Sequence, residues 1–347
     1  MKDLVLRAVP SIAALAAATA VSAVVIAAAG ANPAHAFAAL LDGAFGSADS
    51  LSETLVKTCP LLLCGLAVAL AFQTGMWNIG AEGQLLMGAL AAAFAGSRLP
   101  LPGALGIPTV MAAAALSGAA WGALAGTLKL RRDVNEVIST IMLNFIALGI
   151  VSYLVQGPLM EIGGRYPQTD AVLTGLRLPR LIPSLRVHAG LPVALVACGL
   201  LYAMLYYTVV GYEMRAAGLN PIAARLAGIP VARRMFGAIV LSGALAGLAG
   251  AIEVMGITFR LYERFSPGYG FTAIAVGLLG RLTPVGVLLA ALFFGALEAG
   301  SNAMQRDAGV SAVLVSVIQA TVVIFLVAAE HGRWLPSRPS TAEEALQ

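Results

Sequence analysis

Asn78, Glu82 and Gln84 fall close together in Met76-Trp-Asn-Ile-Gly-Ala-Glu-Gly-Gln84, between two strongly apolar runs. Amide and carboxyl groups at this spacing can hydrogen-bond a polar solute or one another, and a carboxyl group can also carry a proton. A carboxylate at membrane depth is costly, so Glu82 is expected to face protein or a water-filled path rather than lipid. Gln73 lies just before this segment, and Asn144, Glu253, Glu298 and Gln319 are further polar residues inside apolar runs. Asn144 and Gln319 are expected to join helices, since amide side chains bond across helix contacts. Asn78 and Glu82 are read as functional, with Glu82 either touching solute or holding backbone at a gate.

Other chemistry finds little support. Lys2, Lys57 and Lys129 are the three lysines, and none follows the Gly-x-x-x-x-Gly frame that cradles nucleotide phosphates. Neither a Gly-x-Ser-x-Gly elbow nor a His-Glu-x-x-His pair occurs. Cys59, Cys64 and Cys198 sit in apolar runs, and His35, His188 and His331 are isolated, without metal-ligand spacing. The expectation is a chain that is not an enzyme, with no catalytic residues, no metal and no cofactor of its own.

The elements that must position these groups follow from composition. Of 347 residues, 59% are hydrophobic and 11% charged, with a mean hydropathy of +0.89; soluble domains carry about 25% charge. The apolar residues come in blocks near the ~20 residues that cross a bilayer. The fold class is therefore an all-α polytopic membrane protein, and 38 glycines suit close helix–helix approach. Ten candidate spans run over 10–30, 56–73, 82–97, 103–128, 134–156, 189–210, 236–257, 271–282, 284–303 and 310–329. The eighth is too short to cross alone and reads as a half-helix or re-entrant segment.

With the N-terminus inside, twelve Lys and Arg fall on the inner side and nine on the outer. The dense clusters Lys129-Leu-Arg-Arg132 and Arg233-Arg234 fall inside, whereas Asp42, Asp49 and Glu53 fall outside. Both termini are thus expected to be cytoplasmic. The net charge of +4 is explained by these loops and does not imply nucleic acid. Lys2 and Arg7 ahead of an apolar run, with Ala34-His-Ala36 beyond, resemble a signal peptide. The apolar run exceeds the usual h-region of about 7–15 residues, so retention of 1–36 as an anchor is expected.

Helix punctuation fits this map. Asp133 and Glu136 have capping-box spacing at the start of the fifth span, and Thr283-Pro284 reads as N-cap and N1 of the ninth. Asn220-Pro221 opens a short helix over 221–227 that stops at Gly228, with Pro230 beyond. It presents Ile222 and Leu226 on one face with Ala223 beside them. Docking to a cytoplasmic partner and lying in lipid headgroups are equally compatible with it. The outer loop 158–187 carries Arg165, Arg177, Arg180 and Arg186 against Glu161 and Asp170. It reads either as a docking surface for an acidic partner or as an ordinary proline-stiffened loop.

Met76–Gln84 contains Asn78-Ile-Gly-Ala-Glu-Gly-Gln84, which resembles a signature of ABC-importer permeases for nucleosides and simple sugars, relatives of the branched-chain amino acid permeases. Asn135-Glu-Val-Ile-Ser-Thr-Ile-Met-Leu-Asn-Phe-Ile146 is a second match. Gly157-Pro158 with Pro167-Gln-Thr169 is a third, and Ser266-Pro-Gly-Tyr-Gly-Phe-Thr-Ala-Ile-Ala-Val-Gly-Leu-Leu-Gly280 a fourth. The inner loop from Glu213 to Ile229 also looks like the family's coupling loop. The resemblance covers about residues 55–305 and is nearest to the longer permease of nucleoside importers.

That resemblance implies one transmembrane permease domain over 1–330, with a cytoplasmic coupling loop at 211–235, an extracytoplasmic loop at 157–188 and a cytoplasmic tail at 331–347. It implies a translocation path involving Asn78, Glu82, Gln84, Gln73 and Asn144, and coupling through Arg215, Asn220, Pro221, Ala223, Arg225 and Gly228. Arg165, Arg177 and Arg180 become candidates for docking a solute-binding lipoprotein. An ABC ATPase subunit that uses ATP, a second homologous permease and membrane lipid are the implied partners, in a bacterial inner membrane. Nucleosides are the implied solutes, with ribose-like sugars or other small polar solutes as the alternative. A proton-coupled secondary transporter relaying through Glu82, Glu253 or Glu298 is the rival from another class.

Overall fold

The computed structural model of the chain describes residues 16–164 and 166–311, with 314, 316–318, 320, 321, 324 and 325. Lys2, Arg7, Arg165, Gln319, the tail 331–347 and parts of the first and tenth expected spans lie outside the described residues. The helices, in chain order, are α1 (Ala16–Ala28), α2 (Pro33–Phe45), α3 (Ala48–Gln73), α4 (Ala81–Arg98) and α5 (Gly103–Arg132). They continue with α6 (Glu136–Gln156), α7 (Gly190–Tyr207), α8 (Val209–Leu219), α9 (Pro221–Leu226), α10 (Val231–Glu253), α11 (Tyr269–Leu279) and α12 (Pro284–Ala308). A π-helical turn, Val254–Thr258, extends α10. No β-sheet occurs among the described residues, in keeping with an all-α membrane fold.

Two compact units result. The smaller takes the described residues up to Gly46 and from Ala299 onward. Its α1 and α2 meet at a 117° bend, and Asn32 caps α2 by accepting from the Ala34 amide at 3.0 Å. Ile26, Ala36, Met304, Val310 and Ile318 form its core. The larger unit is Ser47–Glu298. Its centre is α3, whose most apolar stretch is 83% buried, against 22% for α5. Leu61, Leu62, Leu63, Leu66 and Leu70 on α3 are almost wholly enclosed, so α3 is surrounded by protein where α5 keeps an outward face.

Glycines set how closely α4, α5 and α10 pack. Ala114, Gly118, Gly122 and Gly126 recur every fourth residue along α5, so they line one face. That face meets Ile239, Gly243 and Gly247 of α10. A Cβ on Gly118 would lie 2.2 Å from the Gly243 carbonyl oxygen, and one on Gly88 of α4 would lie 2.3 Å from Gly247 Cα. Backbones this close are the small-residue packing expected where lipid gives helices no hydrophobic reason to associate.

Among the described residues, six helices are long and apolar enough to cross a membrane: α3, α5, α6, α7, α12, and α10 with its π turn. The bent α1–α2 pair makes seven if taken as one span. The ten expected spans are not all reached. The 18 residues of α4 include Glu82, Gln84 and Arg98, which dilute its apolar content. The 11 residues of α11 reach only about 16 Å, as the half-helix reading expects.

Three local expectations need correction. Asp133 does not cap α6; it ends α5 in the left-handed region at φ 51° and pairs with Lys129 at 3.1 Å. Asn135 is the cap, accepting from the Val137 amide at 2.9 Å, because the chain must first leave α5 before α6 can start. The second span begins not at 56 but at Ala48, where the Ser47 hydroxyl accepts from the Ser50 amide at 3.0 Å. Asp49 then sits in the first turn, favourable to the helix dipole. The sixth span stops at Tyr207, and Thr208 caps a separate helix, α8, by accepting from Gly211 N at 3.1 Å.

The loop after α6 folds back on the segment that follows α10. Thr169 N donates to Leu261 O at 2.8 Å, Val172 N to Phe259 O at 2.8 Å and Leu178 N to Met255 O at 2.9 Å. Arg260 pairs with Glu161, and Arg186 with Glu53 at 2.8 Å. His188, 1% exposed, closes the loop: its Nδ1 accepts from Gly190 N at 3.1 Å. Burial, followed by the Arg186 charge, lowers its pKa from 6.5 to about 4. Above 6.5 both folded and unfolded chains keep this imidazole neutral. As pH falls from 6.5 toward 4, only the unfolded chain takes up the proton. Melting in detergent should therefore show a loss of stability approaching about 3 kcal/mol across that window. His188→Gln should flatten that slope; an unchanged slope in the variant would place the acid sensitivity elsewhere.

Candidate functional site

The break between α3 and α4 leaves backbone groups without helical partners, and two asparagines satisfy them. Asn78 Oδ1 accepts from Gly80 N at 2.9 Å. Asn144, from α6, accepts from Gly83 N at 2.8 Å and donates to Ile79 O at 2.9 Å. Asn144 thus caps α4, whose preceding residue Gly80 has no side chain to do so. Gln84 Nε2 donates to Asn78 Oδ1 at 3.2 Å, while Asn78 Nδ2 donates to Ser242 Oγ at 2.7 Å and to Gln84 Oε1 at 3.0 Å. The Ser242 hydroxyl donates in turn to Ala67 O at 2.7 Å. Four helices, α3, α4, α6 and α10, are joined in one buried polar network.

Glu82 extends the network to α11. Its Oε2 accepts from Gly270 N at 2.7 Å, and its carboxylate also receives the Ser266 hydroxyl. Ser266 Oγ accepts in turn from Gly268 N at 3.1 Å and Tyr269 N at 3.3 Å. A Cβ on Gly270 would lie 2.2 Å from Glu82 N, so the N-termini of α4 and α11 nearly touch. Two positive helix ends would repel at that distance; one buried carboxylate between them offsets both. Asn78, Glu82, Gln84 and Asn144 are each 3% exposed or less, and each has partners within the protein.

Gln73 stands apart from this network. Its Nε2 donates to Leu282 O at 2.6 Å, holding the turn between α11 and α12, where Arg281 and Leu282 both take positive φ. Glu253 is also buried, with Lys57 and Arg186 as the nearby opposite charges. Lys57 Nζ donates to Tyr269 Oη at 3.1 Å.

The short helix expected at 221–227 is α9. Asn220 Oδ1 accepts from Ile222 N at 3.1 Å and Ala223 N at 3.0 Å. Pro221 is its first residue, and Gly228 ends it at φ 83°. Ala224 packs inward with Ala217 of α8 and Val231 of α10, while Ala223 and Arg225 face solvent. Leu219, Ile222 and Leu226 are 88%, 72% and 87% exposed, forming an uncovered apolar knob. Arg215 lies to the side, its guanidinium 4.8 Å from the Tyr206 ring. Glu213 pairs with Arg234 and ties α8 to α10.

In the loop 157–188, Arg180 is exposed and donates to Pro183 O at 3.4 Å. Arg177 is turned inward: its Nε donates to Val172 O at 3.1 Å and its guanidinium stacks 4.5 Å from the Phe259 ring. Ser242 and Ser266, which complete the polar network, were not among the expected path residues, although Ser266 opens the fourth family-like stretch. Small hydroxyl residues in apolar runs give no signal until their partners are known.

Comparison with known proteins agrees with this architecture. Residues 50–327 match the family described as branched-chain amino acid transport system / permease component. A glucose ABC transporter permease protein of Haloferax volcanii is 39% identical over 90% of this chain and 85% of its own. A guanosine ABC transporter permease protein of Bacillus subtilis is 37% identical over 86% of each chain. A nucleoside ABC transporter permease protein of Lactococcus lactis is 32% identical over 88% of this chain and 86% of its own. No solved structure matches. With apolar membrane-length helices, a buried polar core and a family match across most of its length, the chain belongs to the branched-chain amino acid transport system / permease component family, as a transmembrane permease subunit of an ABC importer.

Proposed function

We propose that this chain forms half of the pathway by which an ATP-driven importer takes up nucleosides. An ATPase subunit supplies the energy, a second homologous permease the other half, and an extracytoplasmic binding lipoprotein the solute. The chain lies in the bacterial inner membrane with both termini cytoplasmic. The similarity to guanosine and nucleoside permeases over most of the chain carries the choice of solute. The similarity to a glucose permease favours sugars as the second reading.

The coupling surface is the knob of α9, with Asn220, Pro221 and Gly228 fixing its ends and Arg225 at its side. A push on α9 reaches Val231 and Met235 of α10 through Ala224. Met235 also packs on Ala71, Met76 and Ile239, two residues short of Asn78. Displacement by the ATPase thus reaches the network of Asn78, Gln84, Glu82 and Asn144, which shapes the path, and Gln73 secures the neighbouring turn. Alternating access is then a shift between two packed arrangements.

The exposed Arg180, with Arg165 in the same loop, is the proposed docking patch for acidic groups of the binding protein; Arg177 is engaged with Val172 and Phe259 instead. Arg180→Glu should weaken docking several-fold at low salt, with the effect fading as salt rises. Unchanged docking would remove this patch from the model of assembly.

The central test is uptake of labelled guanosine, uridine, ribose and glucose by cells lacking the chain, before and after its restoration. Nucleoside uptake that survives an uncoupler at constant ATP is the expected result. Restoration of sugar uptake alone would select the second reading. Uptake that collapses with the uncoupler while ATP holds would instead select a proton-coupled carrier.

A further inference from the structure

One helical turn from the polar network, a cavity of about 290 Å³ opens between α4, α6 and the segment after the π-helical turn. Its position follows from spacing. Leu86 is four residues beyond Glu82 on α4, Leu148 is four beyond Asn144 on α6, and Phe265 adjoins Ser266. Residues four apart on a helix share a face, so Leu86, Leu148 and Phe265 form an apolar floor resting on the hydrogen-bonded network. The floor is thereby held in place by groups that do not themselves line the cavity.

The rim is polar. Ser152 Oγ donates to Glu263 Oε1 at 3.0 Å, and Gln156 Nε2 donates to Ser152 Oγ at 2.9 Å. Glu263 is exposed, leaving its carboxylate open to hydroxyl donors. Next to it, Arg264 takes the left-handed region at φ 57°. A non-glycine residue there is strained by about 1–3 kcal/mol, and such strain gathers at binding sites. The π-helical turn that launches this segment is likewise a feature frequent at functional sites. Gly149 leaves the mouth open: a Cβ built on it meets nothing within 4 Å.

We propose that this cavity is the solute subsite of the chain, in which Glu263 accepts the two hydroxyls of a vicinal diol, as in the ribose of a nucleoside, while the apolar floor carries the base. The inference rests on the nucleoside reading above and names the residues that would enact it. At about 290 Å³ the volume falls just below the ~300–1,000 Å³ of small-ligand sites, which suits a single nucleoside and not a peptide. Hydroxyls donating to a carboxylate make short, charge-assisted bonds. A site built around them rejects analogues that lack the hydroxyls. Glu82 and Asn144 become positioning residues beneath the floor.

The test compares transport of guanosine and 2′,3′-dideoxyguanosine in the complete importer, each supplied at a concentration saturating the binding protein. Delivery is then equal, and any remaining preference belongs to the permease. The original chain should prefer guanosine by about tenfold, and Glu263→Gln, which keeps an acceptor for Ser152, should reduce that preference to below about threefold. Gly149→Leu should cut guanosine transport by about tenfold or more at normal abundance, by filling the mouth. No preference in the original chain, a preference retained in Glu263→Gln, or a normal rate in Gly149→Leu would each overturn the subsite. An original chain that carries no nucleoside at all would instead sink the nucleoside reading, a result separate from these.

Discussion

Gly118→Leu is expected to prevent the chain from accumulating in the membrane. Around Gly118 nothing can yield by changing rotamer, because its neighbours are backbone. An added Cβ would meet Gly243 O at 2.2 Å and Gly247 Cα at 2.8 Å, and a Cβ on Gly243 would in turn meet Gly118 O at 2.3 Å. Gly247 is approached from both sides: its own Cβ would lie 2.4 Å from Ala114 O, and Gly88 of α4 closes on it as well. Relief requires α5 to move away from α10, which also loosens α4. Overpacking a well-filled core costs about 1–3 kcal/mol when side chains can give way; here the helices themselves must part, so a larger loss is expected. Gly199→Ala on α7 is the matched control. Its Cβ meets nothing within 4 Å, and helix propensity favours alanine by about 1 kcal/mol. Membrane abundance and detergent melting read both variants; normal values for Gly118→Leu would refute the close-packed arrangement.

Leu226→Asp should act in the opposite manner, abolishing transport while sparing the fold. Leu226 and Ile222 are 87% and 72% exposed, so a carboxylate there costs the isolated chain little. Their neighbour Ala224 is only 5% exposed and holds α9 to α8 and α10. An apolar knob of this kind contributes to binding only when a partner's pocket removes it from water, and buried apolar anchors dominate such contacts. A charge buried without a counter-charge should cost the assembly several kcal/mol, reducing ATP-dependent uptake by at least about a hundredfold. Co-purification of the ATPase should fail in parallel. Ala224→Asp should instead lower abundance, since it breaks the packing beneath α9. Transport at the normal rate in Leu226→Asp would mean that energy enters elsewhere.

Much of the fold could be read from residue order. Asn220, Pro221 and Gly228 predicted α9 because each needs only its own local geometry. Thr283-Pro284 marked the start of α12 for the same reason. The short α11 was visible as an apolar stretch too brief to span. Asp133 misled because a capping-box spacing says nothing about where the preceding helix releases the chain. The early start of α3 was hidden by Asp49 and Glu53, which looked like loop residues but sit on its first turns. Among site residues, the clustering of Asn78, Glu82 and Gln84 was legible. Their bonds to Ser242 and Gly270 were not, because those partners are 164 and 188 residues distant. Arg177 was likewise legible as a charge but not as one folded against Phe259.

Those distances have a consequence for how the chain is made. Glu82 leaves the ribosome long before Ser266 and Gly270, so its carboxyl group must wait through the synthesis of α5 to α10, whereas Asn78 can bond Gly80 and Gln84 at once and waits only for Ser242. In hydrocarbon such waiting groups are expensive, and contacts between distant segments close late. The early helices are therefore expected to stay beside the insertion machinery until α11 arrives. Nascent chains halted before residue 266 should remain bound to that machinery, whereas chains extended past α11 should be released. The carboxylate that joins two helix ends in the finished protein is thus among the last polar groups of the early helices to find its partners.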